Sequence, residues 1–328
     1  TPGFVLPPTD EADEPFAVIL DDAEDAAAAI RDLLRANEVA ALVPITAVIS
    51  AGALPPFIAF LKHLPSDTYE ALANDAAWCL TNIAGGTTEQ ARAVFEAGAV
   101  PVLIKVLATA ESLTVRDSAA WALANLAGDD DPELHRSASS PEALRGIARF
   151  ALAPDATVKH QATAAFAFWT VLRIAPFPSA EDVQTVVVPA VLRLLASPAA
   201  LARSDGTAFD LIPALERVAS NGNDQAVIDV LATHTELLQA VVTVARKSEI
   251  AGTVSAALKL LSKLVQAATD PLSLASHLMA MGVLKHIDQG MHSFSRVAFD
   301  HTKSGTMVAA TVALHAHPSS SSPPFSFP

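Results

Sequence analysis

An internal repeat is the feature of this sequence that most constrains its fold. Residues 76–85 read AAWCLTNIAG, and residues 119–128, which lie 43 positions later, read AAWALANLAG. The run AGALP at 51–55 returns 46 positions later as AGAVP at 97–101. A unit of this length cannot bury its own apolar face, so successive units are expected to stack and share one continuous core. The repeat therefore predicts an array of stacked units.

Each unit reads as a short, a middle and a long helix. Thr87 and Gln90 form a capping-box pattern that opens a short helix, and Gly98 ends it. Pro101 lies in the first turn of the middle helix, and the long third helix is predicted at about 114–127. Hydrophobic residues make up 51% of the chain but aromatic residues only 5%, a balance that favours closely packed helices over sheets.

Weaker helix signals continue this pattern toward the C-terminus. One helix is predicted at 141–151, and a second follows Pro154 and Asp155 and ends at residue 175. Further helices are predicted at 224–232, 235–245, 252–268 and 271–281. This gives about six or seven units over residues 23–317, of which the last are degenerate. Residues 1–22 are predicted to be an acidic, proline-containing arm, and residues 318–328 a disordered tail of serine and proline.

Five short runs within the first units carry a resemblance to a known family. They are ISAG at 49–52, TNIA at 81–84, GTTEQ at 86–90, EAGAVP at 96–101 and NLAGD at 125–129. Together they closely resemble importin-α, a family of armadillo-repeat adaptors for nuclear import. The resemblance is strongest over residues 24–130 and falls to generic armadillo character beyond. It implies an all-α fold, a right-handed superhelical solenoid of armadillo repeats.

The resemblance also implies a binding site. In importin-α the third helices line a concave groove that holds nuclear localisation signals. The implied peptide-binding residues are Trp78, Asn82, Gly86, Ser118, Trp121, Asn125, Asp129 and Trp169. Within this set, Gly86 and Asp129 are expected to belong to the pocket for the dominant lysine of the signal.

The recurring pair of tryptophan and asparagine supports such a groove on chemical grounds. Residues i and i+4 share a helix face, so Trp78 lies one turn from Asn82, and Trp121 one turn from Asn125. An asparagine amide can match the C=O and N–H groups of an extended peptide. A tryptophan ring can receive the stem and the ammonium of a lysine. The alternative interpretation is that both tryptophans are core residues.

Departures from the importin-α pattern predict a reduced site. Ala91 stands where the family has a threonine in the lysine pocket. In the next third helix, Trp169 is followed at i+4 by Arg173 instead of asparagine, and a second register places the pair at Ala164 and Phe168. We call the series of tryptophan–asparagine pairs on successive third helices the ladder. Either register changes the third pair of the ladder, and Arg173 would repel a basic ligand.

Two further departures concern the ends of the array. Lys259 and Lys263 fall about where a later tryptophan and asparagine are expected, which predicts that a second binding region for bipartite signals is lost. The alternative is that these lysines are simply solvated. The N-terminal residues are acidic, so an importin-β-type carrier is expected as a partner only if a basic N-terminal segment exists outside this chain.

Charge and motif content argue against several other function classes. The formal net charge of −14 disfavours nucleic acid, because an acidic surface repels phosphates, and it suits a basic partner. No phosphate-binding loop, hydrolase elbow or zinc-spaced histidine set is present, so we predict no enzyme, no cofactor and no metal. No apolar run has the roughly 18 residues that a membrane span needs. The single cysteine, Cys79, reads as buried packing.

Two functions remain open from the sequence. The first is an importin-α-like adaptor, present in cytoplasm and nucleus, that binds lysine- and arginine-rich segments of cargo proteins through a reduced groove. The second is a divergent armadillo scaffold that binds a different protein partner and has no transport role.

Overall fold

The computed structural model describes residues 25–32, 34, 42–63, 69–197, 199–201, 206–221 and 224–283. Within these residues the regular structure is helical and contains no strand, as the composition and the repeat predicted. The predicted arm at 1–22 and the predicted tail at 318–328 lie outside the described residues. The all-α solenoid expected from the sequence is confirmed, whereas its handedness stays a prediction.

Three helices make up each of the first three units. They are α1 (Leu42–Ser50), α2 (Leu54–His63) and α3 (Glu70–Ala84); α4 (Thr88–Glu96), α5 (Ala99–Thr109) and α6 (Leu113–Gly128); α7 (Pro132–Ala138), α8 (Pro141–Ala151) and α9 (Val158–Leu172). The fourth unit has a composite helix, α10 (Ala180–Asp182, a π-helical turn Val183–Val187, and Val188–Leu195), followed by α11 (Thr207–Asn221). Then come α12 (Gln225–Thr233), α13 (Thr235–Lys247), α14 (Ala251–Ala267) and α15 (Pro271–Ala280).

The units stack through two rows of helices. The third helices α3, α6, α9, α11 and α14 each pack against the next one in the row. The middle helices α2, α5, α8, α10 and α13 form a second row in the same way. One surface of the array is therefore built from consecutive third helices, which is where the sequence predicts a ligand groove.

Local sequence signals set the helix ends. Thr87 and Gln90 make the predicted capping box at the start of α4. Gly98 has φ +84°, a conformation that costs other residues strain, and it separates α4 from α5. Ser112 caps α6 by accepting a hydrogen bond from a backbone N–H, and Thr157 caps α9 in the same way.

The core is built from small side chains at close helix contacts. Gly146 of α8 packs so near to α5 that an added Cβ would lie 2.9 Å from Leu107 Cβ. Cys79 is fully buried in α3, which confirms its reading as packing. Burial, with a smaller effect from the nearby charge of Asp75, raises the pKa of the Cys79 thiol to about 12.

Two parts of the fold go beyond the helices expected from the sequence. No helix was predicted over residues 176–222, where α10 and α11 complete a fourth unit. Residues 25–32 are helical and are tied to α3, because Arg31 Nη1 donates to both carboxylate oxygens of Asp75 at 2.7 and 2.8 Å.

Among the described residues, no single helix combines the length and the apolar character needed to cross a bilayer. The pair α12 and α13, which is bent by 76°, meets both conditions only when the two helices are counted together.

Candidate peptide-binding groove

An open cavity of about 460 Å³ lies along the row of third helices. We call it the groove, and its lining residues are Trp78, Thr81, Asn82, Gly85, Asp117, Ser118, Trp121, Asn125 and Lys159. Five of the eight residues implied by the importin-α resemblance are thus brought together: Trp78, Asn82, Ser118, Trp121 and Asn125. Gly86, Asp129 and Trp169 are not among the lining residues.

The two tryptophans differ in burial. Trp121 is 42% exposed, so the interpretation that both tryptophans are core residues does not hold for it. Trp78 is partly buried and packs against the core while lining the groove. The Trp121 ring lies beside Phe166 of α9, with ring centroids 5.8 Å apart and planes tilted by 46°. An apolar wall therefore continues from α6 onto α9.

The two asparagines are held in place by the protein itself. Asn82 Nδ2 donates to the carbonyl of Trp78 at 2.8 Å, and Asn125 Nδ2 donates to the carbonyl of Thr81 at 2.9 Å. These bonds weaken the argument that asparagine at this position must serve a ligand, because each amide is partly satisfied internally. They also fix the amides, since a side-chain amide has a second N–H and an oxygen that can still meet a peptide.

Gly85 makes room for Asn125. A Cβ at Gly85 would lie 2.8 Å from Asn125 Nδ2 and 3.4 Å from the carbonyl oxygen of Thr81. The first distance is shorter than ordinary contact allows, so any side chain at Gly85 must displace the amide. A glycine at the end of α3 is therefore part of the geometry that positions Asn125.

Hydrogen bonds between α3 and α6 make the floor of the groove rigid. Thr81 Oγ1 donates to the carbonyl of Ser118 at 2.8 Å. Ser118 Oγ donates to Asn74 Oδ1 at 3.0 Å. Because Ser118 is already engaged and only 8% exposed, it supports the groove more than it offers a free hydroxyl.

The residues expected around the dominant lysine lie at helix ends beside the groove. Gly86 follows α3 and is exposed, and a Cβ there would lie 2.0 Å from Gln90 Oε1, which completes the capping box. Asp129 follows α6, and its Oδ1 accepts the N–H of Asp131 at 2.8 Å. Ala91 is fully buried in α4. The lysine pocket made by these residues stays a prediction.

The helix caps show which residues of α9 continue the ladder. Ser112 caps α6 and Thr157, 45 positions later, caps α9. The same offset carries Trp121 onto Phe166, which its ring contacts, and Asn125 onto Thr170. Neither register considered from the sequence matches, because Ala164 lies 43 residues and Trp169 lies 48 residues after Trp121.

Trp169 and Arg173 consequently lie elsewhere on α9. Trp169 is partly buried and packs against the core. Arg173 follows the last turn, and its Nη2 donates to the carbonyl of Gly128 at 2.6 Å and to that of Asp129 at 3.4 Å. Its positive charge therefore stabilises the C-terminal end of α6, next to the predicted lysine pocket.

One ion pair in the groove was not foreseen from the sequence. Asp117 of α6 is 5% exposed, and its Oδ2 lies 3.1 Å from Lys159 Nζ of α9. The Lys159 side chain is 76% exposed. The described residues contain no cluster of three or more His, Cys, Asp or Glu side chains that could hold a metal ion.

Comparison with known proteins identifies the repeats. A family model for the armadillo/beta-catenin-like repeat matches residues 43–85 and 87–128. Importin subunit alpha-1b of Oryza sativa subsp. japonica is 49% identical over 86 residues, which cover 26% of this chain and 15% of that protein. Importin subunit alpha-9 of Arabidopsis thaliana is 32% identical over 224 residues, covering 64% of this chain and 40% of that protein. The chain spans well under half the length of these curated relatives.

Solved structures agree on the architecture. A designed armadillo repeat protein in complex with the peptide (KR)4 has a TM-score of 0.54 at 22% identity, covering 78% of this chain and 95% of that chain. Armadillo proteins designed computationally for modular peptide recognition give a TM-score of 0.56 at 20% identity, covering 81% and 100%. At these identities the likeness shows the fold alone.

Repeats, helix rows and structural neighbours together define an all-α protein built from armadillo repeats. Within that class, the sequence relatives show that part of the chain is similar to importin subunits alpha.

Proposed function

We propose that this protein is an adaptor that binds lysine-rich nuclear localisation signals in the groove and serves nuclear protein import. The observation that carries the proposal is a tryptophan 42% exposed in the same cavity as two fixed asparagines, Asn82 and Asn125. Ligand clefts in proteins are typically lined by aromatic and apolar side chains with a few placed polar groups, and this cavity has that composition. The family resemblance assigns these same positions to the signal peptide.

The chemistry of the groove suits an extended basic peptide. The amides of Asn82 and Asn125 are held one repeat apart by hydrogen bonds to the backbone, so they can grip peptide backbone at intervals of about three residues. The face of Trp121 can receive a lysine stem, a contact worth about 0.5–2 kcal/mol. The net charge of −14 favours a cationic ligand at long range.

We propose that the site accepts a short monopartite signal. On α9 the ladder positions are Phe166 and Thr170, and Thr170 donates its hydroxyl to carbonyls of its own helix at 2.9 and 3.2 Å. The third pair therefore offers an apolar ring but no side-chain amide to hold peptide backbone. A peptide therefore makes most of its contacts with the two complete tryptophan–asparagine pairs, on α3 and α6.

The transport role rests on the relatives named above, none of which this chain covers beyond 40% of its length. We propose cytoplasm and nucleus as its location, an adaptor and not an enzymatic role, and cargo segments rich in lysine and arginine as partners. A carrier of the importin-β type is proposed only if a basic segment exists outside this chain.

A second candidate function is an armadillo scaffold for a different protein partner with no transport role. Two observations favour it over a full adaptor. The third pair has lost its asparagine, and Lys159 places a positive charge in the groove where a basic ligand would lie. A scaffold of this kind would bind protein through the groove without discriminating in favour of lysine.

Titration of a fluorescent monopartite lysine-rich peptide separates the two functions. We expect saturable binding that weakens as salt rises, and a loss of about tenfold or more in Trp121→Ala. Leu272→Ala is the matched control, because Leu272 is an apolar side chain 65% exposed on α15. Equal peptide affinity of the Trp121→Ala and Leu272→Ala variants would show that the peptide does not bind in the groove. Equal affinity for a peptide of the same length in which glutamine replaces every lysine would favour the scaffold.

A further inference from the structure

The ion pair between Asp117 and Lys159 lies inside the groove and has an unusual asymmetry. Asp117 is 5% exposed and lies one turn before Trp121 on α6. Lys159 lies in the first turn of α9, is 76% exposed, and reaches only Oδ2 of the carboxylate, at 3.1 Å. Asp117 Oδ1 is buried and has no hydrogen-bond partner in the described part of the chain.

Asp117 and Lys159 differ in the free energy that each loses when the ion pair breaks. A buried carboxylate without a cation is strongly unfavourable, so Asp117 needs a positive charge whether or not a ligand is present. Lys159 is nearly as exposed in the pair as it would be in water, so it loses little when it leaves the carboxylate. The contact is therefore suited to exchange, with Lys159 giving way to another cation.

A competing ligand faces a cation that is tethered to the same protein. A lysine from a peptide would make the same single contact with Asp117 Oδ2 that Lys159 already makes, so the exchange yields no gain. A guanidinium is planar and presents two parallel donors, which can engage both oxygens of a carboxylate. Only arginine can therefore satisfy the unpartnered Oδ1 as well as replace Lys159 at Oδ2.

We propose that Lys159 is a resident cation of the groove, which a ligand arginine displaces from Asp117 and a ligand lysine does not. This inference rests on the proposed function, because it assumes that a basic peptide lies along the groove. It goes further by assigning a side-chain preference to one subsite. A signal that contains only lysine leaves Lys159 in place and binds through the remaining contacts. A signal with an arginine at the position that meets Asp117 displaces Lys159.

The test is a series of single lysine-to-arginine replacements along a monopartite peptide, measured against four proteins by competition. They are the natural chain, Lys159→Met, Lys159→Arg and the control Lys105→Met, which removes an exposed lysine of α5 outside the groove lining. For the natural chain we expect one peptide position where arginine binds about tenfold tighter than lysine, the value of one charge-assisted hydrogen bond. Lys105→Met should leave this preference unchanged.

The two Lys159 variants should change peptide binding in different ways. Lys159→Met frees Asp117, so the all-lysine peptide and the arginine peptide should each bind about tenfold tighter, because each gains one contact with Asp117 that Lys159 occupies in the natural chain. Lys159→Arg retains a cation, so folding is preserved, and its guanidinium can occupy both oxygens. Affinity for the arginine peptide should then fall to the level of the all-lysine peptide.

The outcomes separate this inference from the proposed function. If peptides bind and Trp121→Ala weakens them, but arginine gives no advantage at any position, or Lys159→Met leaves the affinity of both peptides unchanged, the resident-cation inference is wrong and the proposed function stands. If no basic peptide binds the natural chain or either Lys159 variant, both are wrong. An arginine advantage that is lost in Lys159→Arg, together with tighter binding of both peptides by Lys159→Met, supports both.

Discussion

Replacing Gly85 by alanine tests whether the asparagine of the groove is positioned by the protein itself. The added Cβ would lie 2.8 Å from Asn125 Nδ2, and ordinary contact begins at 3.4 Å, so the amide must move by about 0.6 Å. A displacement of that size spans most of the range over which a hydrogen bond exists. The 2.9 Å bond from Asn125 to the carbonyl of Thr81 should therefore be lost.

The expected change in stability is small because two effects oppose each other. Losing one hydrogen bond costs about 1 kcal/mol, and the carbonyl of Thr81 keeps its bond from the Gly85 N–H at 3.0 Å. Replacing glycine by alanine at a permitted conformation, here φ −85° and ψ 6°, stabilises by about 0.4–1 kcal/mol through the unfolded state. The net change in the free energy of unfolding should be near zero.

Gly252→Ala provides the matched comparison. Gly252 lies in α14, and a Cβ there would meet nothing within 4 Å, so the same substitution should stabilise by about 0.5–1 kcal/mol. Chemical denaturation of both variants should show a difference of about 1 kcal/mol, and only Gly85→Ala should weaken peptide binding. Equal stabilisation by the two substitutions, with binding unchanged, would refute the argument that Gly85 sets the position of Asn125.

Two further predictions concern buried groups. Cys79 is fully buried and its thiol pKa is raised to about 12, so thiol reagents should not modify the native protein at neutral pH but should react once it is unfolded in denaturant. Burial raises the pKa of Asp210 to about 6, above its ordinary 3.8, so the folded state favours the protonated form and this contribution to stability falls as pH rises from about 4 through 6. Asp210→Asn should remove that contribution, so the variant should lose less thermal stability than the natural chain between pH 4.5 and 7.5 in a melting series.

Much of the fold could be predicted because its signals are local. The capping box of Thr87 and Gln90 and the turn at Gly98 appear where the sequence indicates them. The third helix predicted at 114–127 is found at Leu113–Gly128. Such signals need only the neighbouring three or four residues, so they can be read without knowing the tertiary structure.

The middle of the array could not be predicted for an equally physical reason. In α10 a π-helical turn at Val183–Val187 joins two segments that the three-helix pattern expects to be separate. In α11 Pro213 lies inside the helix, where proline usually ends one. Both departures are tolerated because neighbouring helices pack around them, and packing of that kind is not visible in one sequence.

The candidate site was partly predictable. Tryptophan and asparagine one turn apart point to one helix face, and the structure places both pairs in the groove. The register of α9 was missed, although aligning the caps Ser112 and Thr157 would have found it. The pair of Asp117 and Lys159 depends on that register, since the two residues meet only through the packing of α6 against α9.

The most direct test of the account is to map where a basic peptide lies on the protein. A monopartite lysine-rich peptide with a photoreactive group at its centre can be cross-linked to the native chain, and the attachment sites can be located by mass spectrometry. The account predicts adducts on α3 and α6 among the residues that line the groove, competed away by unmodified peptide and reduced in Trp121→Ala. Saturable adducts confined to other helices, or adducts unaffected by the Trp121 substitution, would contradict it.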